Sequence, residues 1–266
     1  MNVSPRKALI LYTHTLLPQD LDLPNVRETV SRGCCGQLKL EKESVPVFDS
    51  VIASRSRDLR QLLGMSATSA KANTLSSRFG GMKVGVISTD AAIIDSCKQY
   101  DPTYTLSLGD KPDTEHLNSL LLDILNDKTS EALDCLLVDL SHSNANDSWQ
   151  QIDSVLKVCL ESTPDVLKCI VTHATTENTR DAAQNSRWKL IRPPQSYQFK
   201  EGEPVETIED EVLLCAYYHE GSTRRDSTTS ITLEQVSQAG CNGTILSWHF
   251  LGEIGQKLGY IPKYGA

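Results

Sequence analysis

Short apolar runs recur along the chain, and most are followed by a segment whose apolar positions fall three and four residues apart. Lys7–Thr13 (KALILYT), Lys83–Ser88 (KVGVIS), Tyr104–Gly109 (YTLSLG), Asp134–Leu140 (DCLLVDL), Val166–Thr172 (VLKCIVT) and Glu211–Tyr218 (EVLLCAYY) are predicted strands. Runs this continuous belong to strands buried on both faces. Helices are predicted at Asn25–Gly33, Asp90–Tyr100, Asp113–Asp127, Asp147–Glu161 and Ile245–Gly259. In the third, Leu117, Leu120, Leu121 and Leu125 share one face. Asn25, Asp90 and either Asp147 or Asn146 stand where helix caps belong, and Gly33 where a helix stops.

Strands alternating with helices predict an α/β fold, a mostly parallel sheet with helices on both faces. Ligands of such sheets bind beyond the carboxyl ends of the strands. The ends to watch are Thr13-His14, Ser88-Thr89, Ser141-His142, Thr172-His173 and His219. Two segments resist assignment. Ser66–Gly81 is rich in hydroxyl side chains and reads as a loop or a weak helix. Ala182–Thr207 is a long proline-containing loop with a strand-like Trp188–Arg192 near its start. Neither is a domain linker, so residues 1–266 are expected to form a single domain.

At 266 residues and 39% hydrophobic composition, the chain can fill one large core. The net charge of -8 repels phosphate backbones and anionic lipid heads, which argues against nucleic-acid and membrane-surface partners. Cys135, Cys159, Cys169 and Cys215 lie inside apolar runs and read as small buried hydrophobes. No CxxC and no zinc-type Cys/His spacing occurs. The neighbours Cys34-Cys35 read as a packed turn, since adjacent cysteines rarely bridge each other. These features predict a reducing compartment. The apolar run after Lys7 is too short for a signal-peptide core or a membrane span, so a cytoplasmic location is expected. Dinucleotide, phosphate-loop, nucleophile-elbow and HExxH motifs are all absent.

The order of the pieces carries more than any single motif. After the first strand comes Asn25–Gly36, NVRETVSRGCCG. Leu59–Gly64 reads LRQLLG, Gly240–Gly243 is a Gly-rich turn, and Lys263–Ala266 closes the chain as KYGA. This succession resembles the alkaline phosphatase superfamily and is most similar to its archaeal-type cofactor-independent phosphoglycerate mutases. The resemblance implies an alkaline-phosphatase-like core that lacks the inserted second domain of those enzymes. It also implies their chemistry: two divalent metals held by Asp and His at strand ends, flanking a Ser or Thr nucleophile.

Matched position by position, the resemblance sets Thr13, followed by His14, where the first metal-binding Asp belongs. It sets Ser54 and Ser56 near the nucleophile, Asn144 and Ser148 where an Asp and a His belong, and Thr172-His173 where an Asp-His pair belongs. Asp139 then falls inside its strand, as a bystander. Two hard cations need anionic oxygens, and Thr13, Asn144 and Thr172 are neutral. The match therefore implies a catalytically inactive relative without a cofactor, acting as a binding or scaffold protein. Its partner would be a protein or a small phosphorylated metabolite. One alternative is an active metal-dependent phosphatase or phosphomutase with Ser54 or Ser56 as nucleophile. His14, His142, His173 and His219 would then bind one or two zinc or manganese ions. Another is a phosphometabolite-binding module of doubly wound fold. Arg55 and Arg57 read as solvated surface groups or as phosphate ligands. Thr223–Asp226 reads as an exposed turn, and Trp149, Trp248, His249 and Phe250 as core packing.

Overall fold

A computed structural model describes residues 4–43, 50–65, 74–175 and 198–262. Its centre is an eight-stranded sheet. The strands are β1 (Lys7–Thr13), β2 (Cys34–Glu41), β3 (Val84–Ser88), β4 (Tyr104–Ser107), β5 (Cys135–Asp139), β6 (Val166–Thr175), β9 (Thr207–Tyr218) and β10 (Thr244–Leu246). Between β6 and β9 a two-stranded hairpin forms from β7 (Phe199–Lys200) and β8 (Glu203–Pro204). The large sheet runs β10-β2-β9-β6-β1-β5-β3-β4. All neighbours are parallel except β9, which runs antiparallel to both β2 and β6. The expected mostly parallel α/β sheet is the one observed.

Successive residues of a strand point to opposite faces, and two separate core clusters follow. Ala8, Ile10 and Tyr12 of β1 face one cluster, while Leu9 and Leu11 face the other. Helices α2 (Val51–Leu62), α4 (Ala91–Lys98) and α8 (Phe250–Lys257) cover the first face through Leu59, Leu62, Ile93, Phe250 and Leu251. A single turn, α3 (Leu75–Arg78), adds Leu75 to that face. Helices α1 (Pro24–Arg32), α5 (Thr114–Leu125), α6 (Ala145–Ser162) and α7 (Leu233–Ala239) cover the second, with Val26, Leu117, Leu121, Trp149, Ile152 and Val236.

Several local expectations are corrected. Helix α1 starts on Pro24 at its first turn, not under an Asn25 cap. Its free backbone N–H groups are taken by Asp153 of α6, which accepts from Asn25 N at 2.8 Å and Val26 N at 2.9 Å. Helix α6 is capped by Asn144, whose side chain accepts from Asn146 N at 3.0 Å, so neither Asp147 nor Asn146 is the cap. Cys34-Cys35 open strand β2 rather than forming a turn. Residues 245–259 are not one helix. They divide into the end of β10, a 3-10 turn at Ser247–His249 and α8. Residues 66–73 and 182–197, with the strand-like segment after Arg187, lie outside the described residues.

Candidate functional site at the carboxyl edge of the sheet

The side-chain parity that builds the first core face continues past the strand ends. Tyr12 shares its face with Ile10, so His14 is expected there too. The same count places Ser88 beyond Val86, Asp139 beyond Leu137 and His173 beyond Val171. Strand β9 enters from the opposite direction, and Glu211 precedes Leu213 on that face. All six side chains therefore converge over α2, which brings Ser54, Arg55, Arg57 and Asp58 to meet them.

Asp58 is the hub and is fully buried. Its Oδ2 accepts from Tyr12 Oη at 2.9 Å and from His173 Nδ1 at 2.9 Å. His14 Nδ1 lies 3.0 Å from Tyr12 Oη and 3.3 Å from the same carboxylate oxygen. Oδ1 accepts from Arg57 Nε at 3.1 Å and Nη2 at 2.9 Å. A carboxylate can only accept, so Tyr12 spends its one proton on Asp58 and His14 donates to Tyr12. Both imidazoles thus carry a proton on Nδ1, and a neutral ring keeps its lone pair at Nε2. The two rings lie 4.3 Å apart between centroids. Burial by itself would push the Asp58 carboxyl up. The nearby His14, the bond from His173 and the charge of Arg57 outweigh it and hold the carboxyl well below the usual range. Burial, with Asp58 next to it, pushes the Tyr12 phenol far up.

A second carboxylate, Asp139, is also fully buried. It accepts from Arg55 Nη2 at 2.6 Å, Ser88 Oγ at 2.7 Å, Ser141 Oγ at 2.6 Å and Ser141 N at 3.1 Å. Ser141 Oγ in turn accepts from His14 N at 2.9 Å, which joins the two clusters. Asp139 ends its strand and is part of the site, so the expectation of a bystander is corrected. Arg55 and Arg57 are corrected likewise: they are 7% and 5% exposed, neutralising carboxylates rather than facing solvent. Arg57 also pairs with Glu211 and donates to Ser54 Oγ at 3.0 Å.

Of the residues singled out in the sequence, His14 and His173 come together on Asp58. Ser54 joins them through Arg57 from within α2, whose first turn is capped by Ser50. Ser56, two helical positions from Asp58, points away from it. Thr13 and Thr172 have the opposite parity and turn from the cluster. Thr13 Oγ1 is 2.8 Å from Thr15 Oγ1, and Thr172 Oγ1 donates to Thr15 O at 2.8 Å. Asn144 is occupied as the α6 cap. His142 is held apart, with Nδ1 2.9 Å from Asp110 O and Nε2 2.7 Å from Gln151 Oε1. His219 lies at the opposite edge, because β9 runs antiparallel and its end pairs with Lys168 near the start of β6. There it bonds Ser222, and burial lowers its pKa. The four-histidine site is thus reduced to two.

No protein-family model and no curated protein sequence matches the chain. Solved structures do. The PH0037 protein of Pyrococcus horikoshii is 10% identical over 100% of both chains with a TM-score of 0.65. The cofactor-independent phosphoglycerate mutase of Thermoplasma acidophilum is 11% identical over 95% of this chain and 100% of its own, with a TM-score of 0.52. A looser likeness, with a TM-score of 0.49 and 10% identity over 96% and 98% of the chains, is to the alkaline phosphatase of the Antarctic bacterium TAB5. The chain shares its fold with the PH0037 protein and the Thermoplasma phosphoglycerate mutase.

Proposed function

We propose that this chain is a catalytically silent relative of the metal-dependent phosphatases and phosphoglycerate mutases that works as a binding or scaffold protein. One observation carries the proposal. The two buried carboxylates at the ligand edge, Asp58 and Asp139, are each already bonded to a guanidinium ion from α2, Arg57 and Arg55. A hard dication needs such carboxylates as its own ligands. To take them it must displace arginines and leave buried charges unpaired, at about 3–5 kcal/mol per broken pair. Thr13, Asn144 and Thr172 offer no anionic replacement, so the residues present do not fit a two-metal centre.

The experiment is elemental analysis of the purified protein, joined to hydrolysis of p-nitrophenyl phosphate with added zinc, manganese or magnesium. The expected result is metal well below stoichiometry and no turnover above the blank. Stoichiometric metal, with turnover abolished by Ser54→Ala or Ser56→Ala, overturns the proposal and establishes a reorganised phosphatase or phosphomutase. A specific arrangement favours a second reading. His14, His173 and Asp58 present ligand atoms within 4.8 Å of one another, a set suited to one transition-metal ion. Stoichiometric zinc or manganese without turnover, lost in His173→Ala, supports that reading. The partner we propose is a protein or a small phosphorylated metabolite, held at this edge.

A further inference from the structure

At the opposite edge of the sheet, two cysteines distant in sequence face each other. Cys34, the first residue of β2, and Cys241, in the loop between α7 and β10, have their sulfurs 3.1 Å apart. Cys34 is buried and Cys241 is exposed; the other six cysteines are all buried. The approach is built into the backbone. Asp226 Oδ2 accepts from Cys35 N at 2.7 Å and from Cys241 N at 3.2 Å, so one carboxylate pins both segments. The expectation of a plain exposed turn at residues 223–226 misses this role. Asn242 N donates to Cys35 O at 3.0 Å, and Gln37 N to Gly243 O at 2.9 Å. Two glycines let the segments touch. A Cβ on Gly240 would lie 2.8 Å from Cys35 O, and one on Gly36 would lie 2.9 Å from Gly243 O. An open cavity of about 470 Å³, lined by Cys34, Tyr217, Arg224, Cys241, Glu253 and Lys257, gives a small molecule access to the pair.

We propose that Cys34 and Cys241 form a reversible dithiol–disulfide site that exchanges with low-molecular-weight disulfides. The exposed Cys241, as its thiolate, attacks one sulfur of the small disulfide. That S–S bond breaks, and one small thiol leaves with a proton. Cys241 now carries a mixed disulfide. Cys34 gives its proton to solvent and attacks Cys241 Sγ, expelling the second small thiol. Two protein thiols become one disulfide while one small disulfide becomes two thiols. The order follows from exposure, and burial supports it by pushing the Cys34 thiol up to about 12. The site lies away from the His14–Asp58–His173 cluster, so the inference does not rest on the proposed function.

The test treats the reduced full-length protein with oxidised glutathione and maps disulfides by peptide mass spectrometry, with time. The expected product is a Cys34–Cys241 crosslink that dithiothreitol reverses. In Cys34→Ser a glutathione adduct should persist on Cys241, and in Cys241→Ser the reaction at Cys34 should fall at least tenfold. A lasting glutathione adduct on Cys241 in the wild-type chain overturns the proposal, as does no reaction at either thiol. Stoichiometric zinc protecting both thiols, and lost in Cys241→Ser, also overturns it by assigning Cys34, Asp226 and Cys241 to a metal. The wild-type time course decides the matter even if a variant fails to fold.

Discussion

Replacing Arg57 with Met tests whether the guanidinium is what keeps Asp58 charged inside the protein. Both bonds to Asp58 Oδ1 come from Arg57, and no part of Asp58 reaches solvent. Arg57→Met keeps the bulk of the side chain and strands a buried carboxylate with Oδ1 unpaired. Two hydrogen bonds to a charged group contribute about 1.5–3 kcal/mol each. Removing one partner of a buried ion pair costs about 3–5 kcal/mol. The two routes agree, and Arg57→Met is expected to lose about 3–5 kcal/mol. In Arg57→Met/Asp58→Leu no fully buried carboxylate is stranded, and Glu211 keeps some solvent contact, so part of that loss should return. Urea unfolding at neutral pH, extrapolated linearly to water, measures both. The pH dependence follows by linkage. The Asp58 carboxyl is held below its unfolded value near 4, so its stabilisation is present above that value and lost as pH falls through the folded one. Without Arg57 the folded value rises, and acid sensitivity should start at higher pH. A loss under about 1 kcal/mol, with the double variant no better than the sum of the singles, would refute the reasoning.

Two further outcomes are expected. Asp153→Ala removes the acceptor for Asn25 N, Val26 N and Asn25 Nδ2, so α1 loses its cap and stability should drop by about 2 kcal/mol. Calorimetry checks this, and an unchanged Tm would show that α1 is held by packing alone. Lys168 is buried, donates to Thr163 O at 2.5 Å and Val166 O at 3.0 Å, and is lowered to about 8 by burial. Below pH 8 the fold bears the cost of charging it; between 8 and 10.5 only the unfolded chain keeps that proton, so stability rises with pH. Relative to Lys168→Met, the wild-type chain should gain on the order of 3 kcal/mol across that window. A difference independent of pH would show that Lys168 is an ordinary solvated lysine.

The parts of the fold legible in the sequence are those whose burial leaves an unbroken apolar run. Strands β1, β3, β5 and β6 lie deep in the sheet and show this plainly. Strand β2 escaped notice because CCGQLKLE alternates buried and half-buried positions around a glycine. In β10 and α8 a strand, a turn and a helix follow one another with apolar residues at spacings that mimic one helix. His219 was misplaced for a different reason: an apolar run reads the same in both directions, so strand polarity is invisible. At the site, His14 and His173 could be found as polar residues ending apolar strands. Asp58, Arg55 and Arg57 could not, because a run of charges on a helix is ordinarily a solvated face. Only their mutual pairing makes burial tolerable, and pairing is a property of the tertiary structure. A usable signal did exist in strand parity. Tyr12 and His14, Asp139, His173 and Glu211 all continue the alternation that faces α2.

Strand β9 also dictates when the molecule can be completed. It sits between β2 and β6, whose residues 34–41 and 166–175 are synthesised well before it. Until residue 218 leaves the ribosome, both strands have an edge of bare amides and carbonyls facing the same unfilled slot. Such edges invite pairing with strands of other chains. A nascent or truncated chain ending before Thr207 therefore holds the sheet β6-β1-β5-β3-β4 with an open edge on β6, and a β2 without either of its partner strands. Truncations that remove β9 are expected to aggregate, because a late strand must fill a slot between two earlier ones.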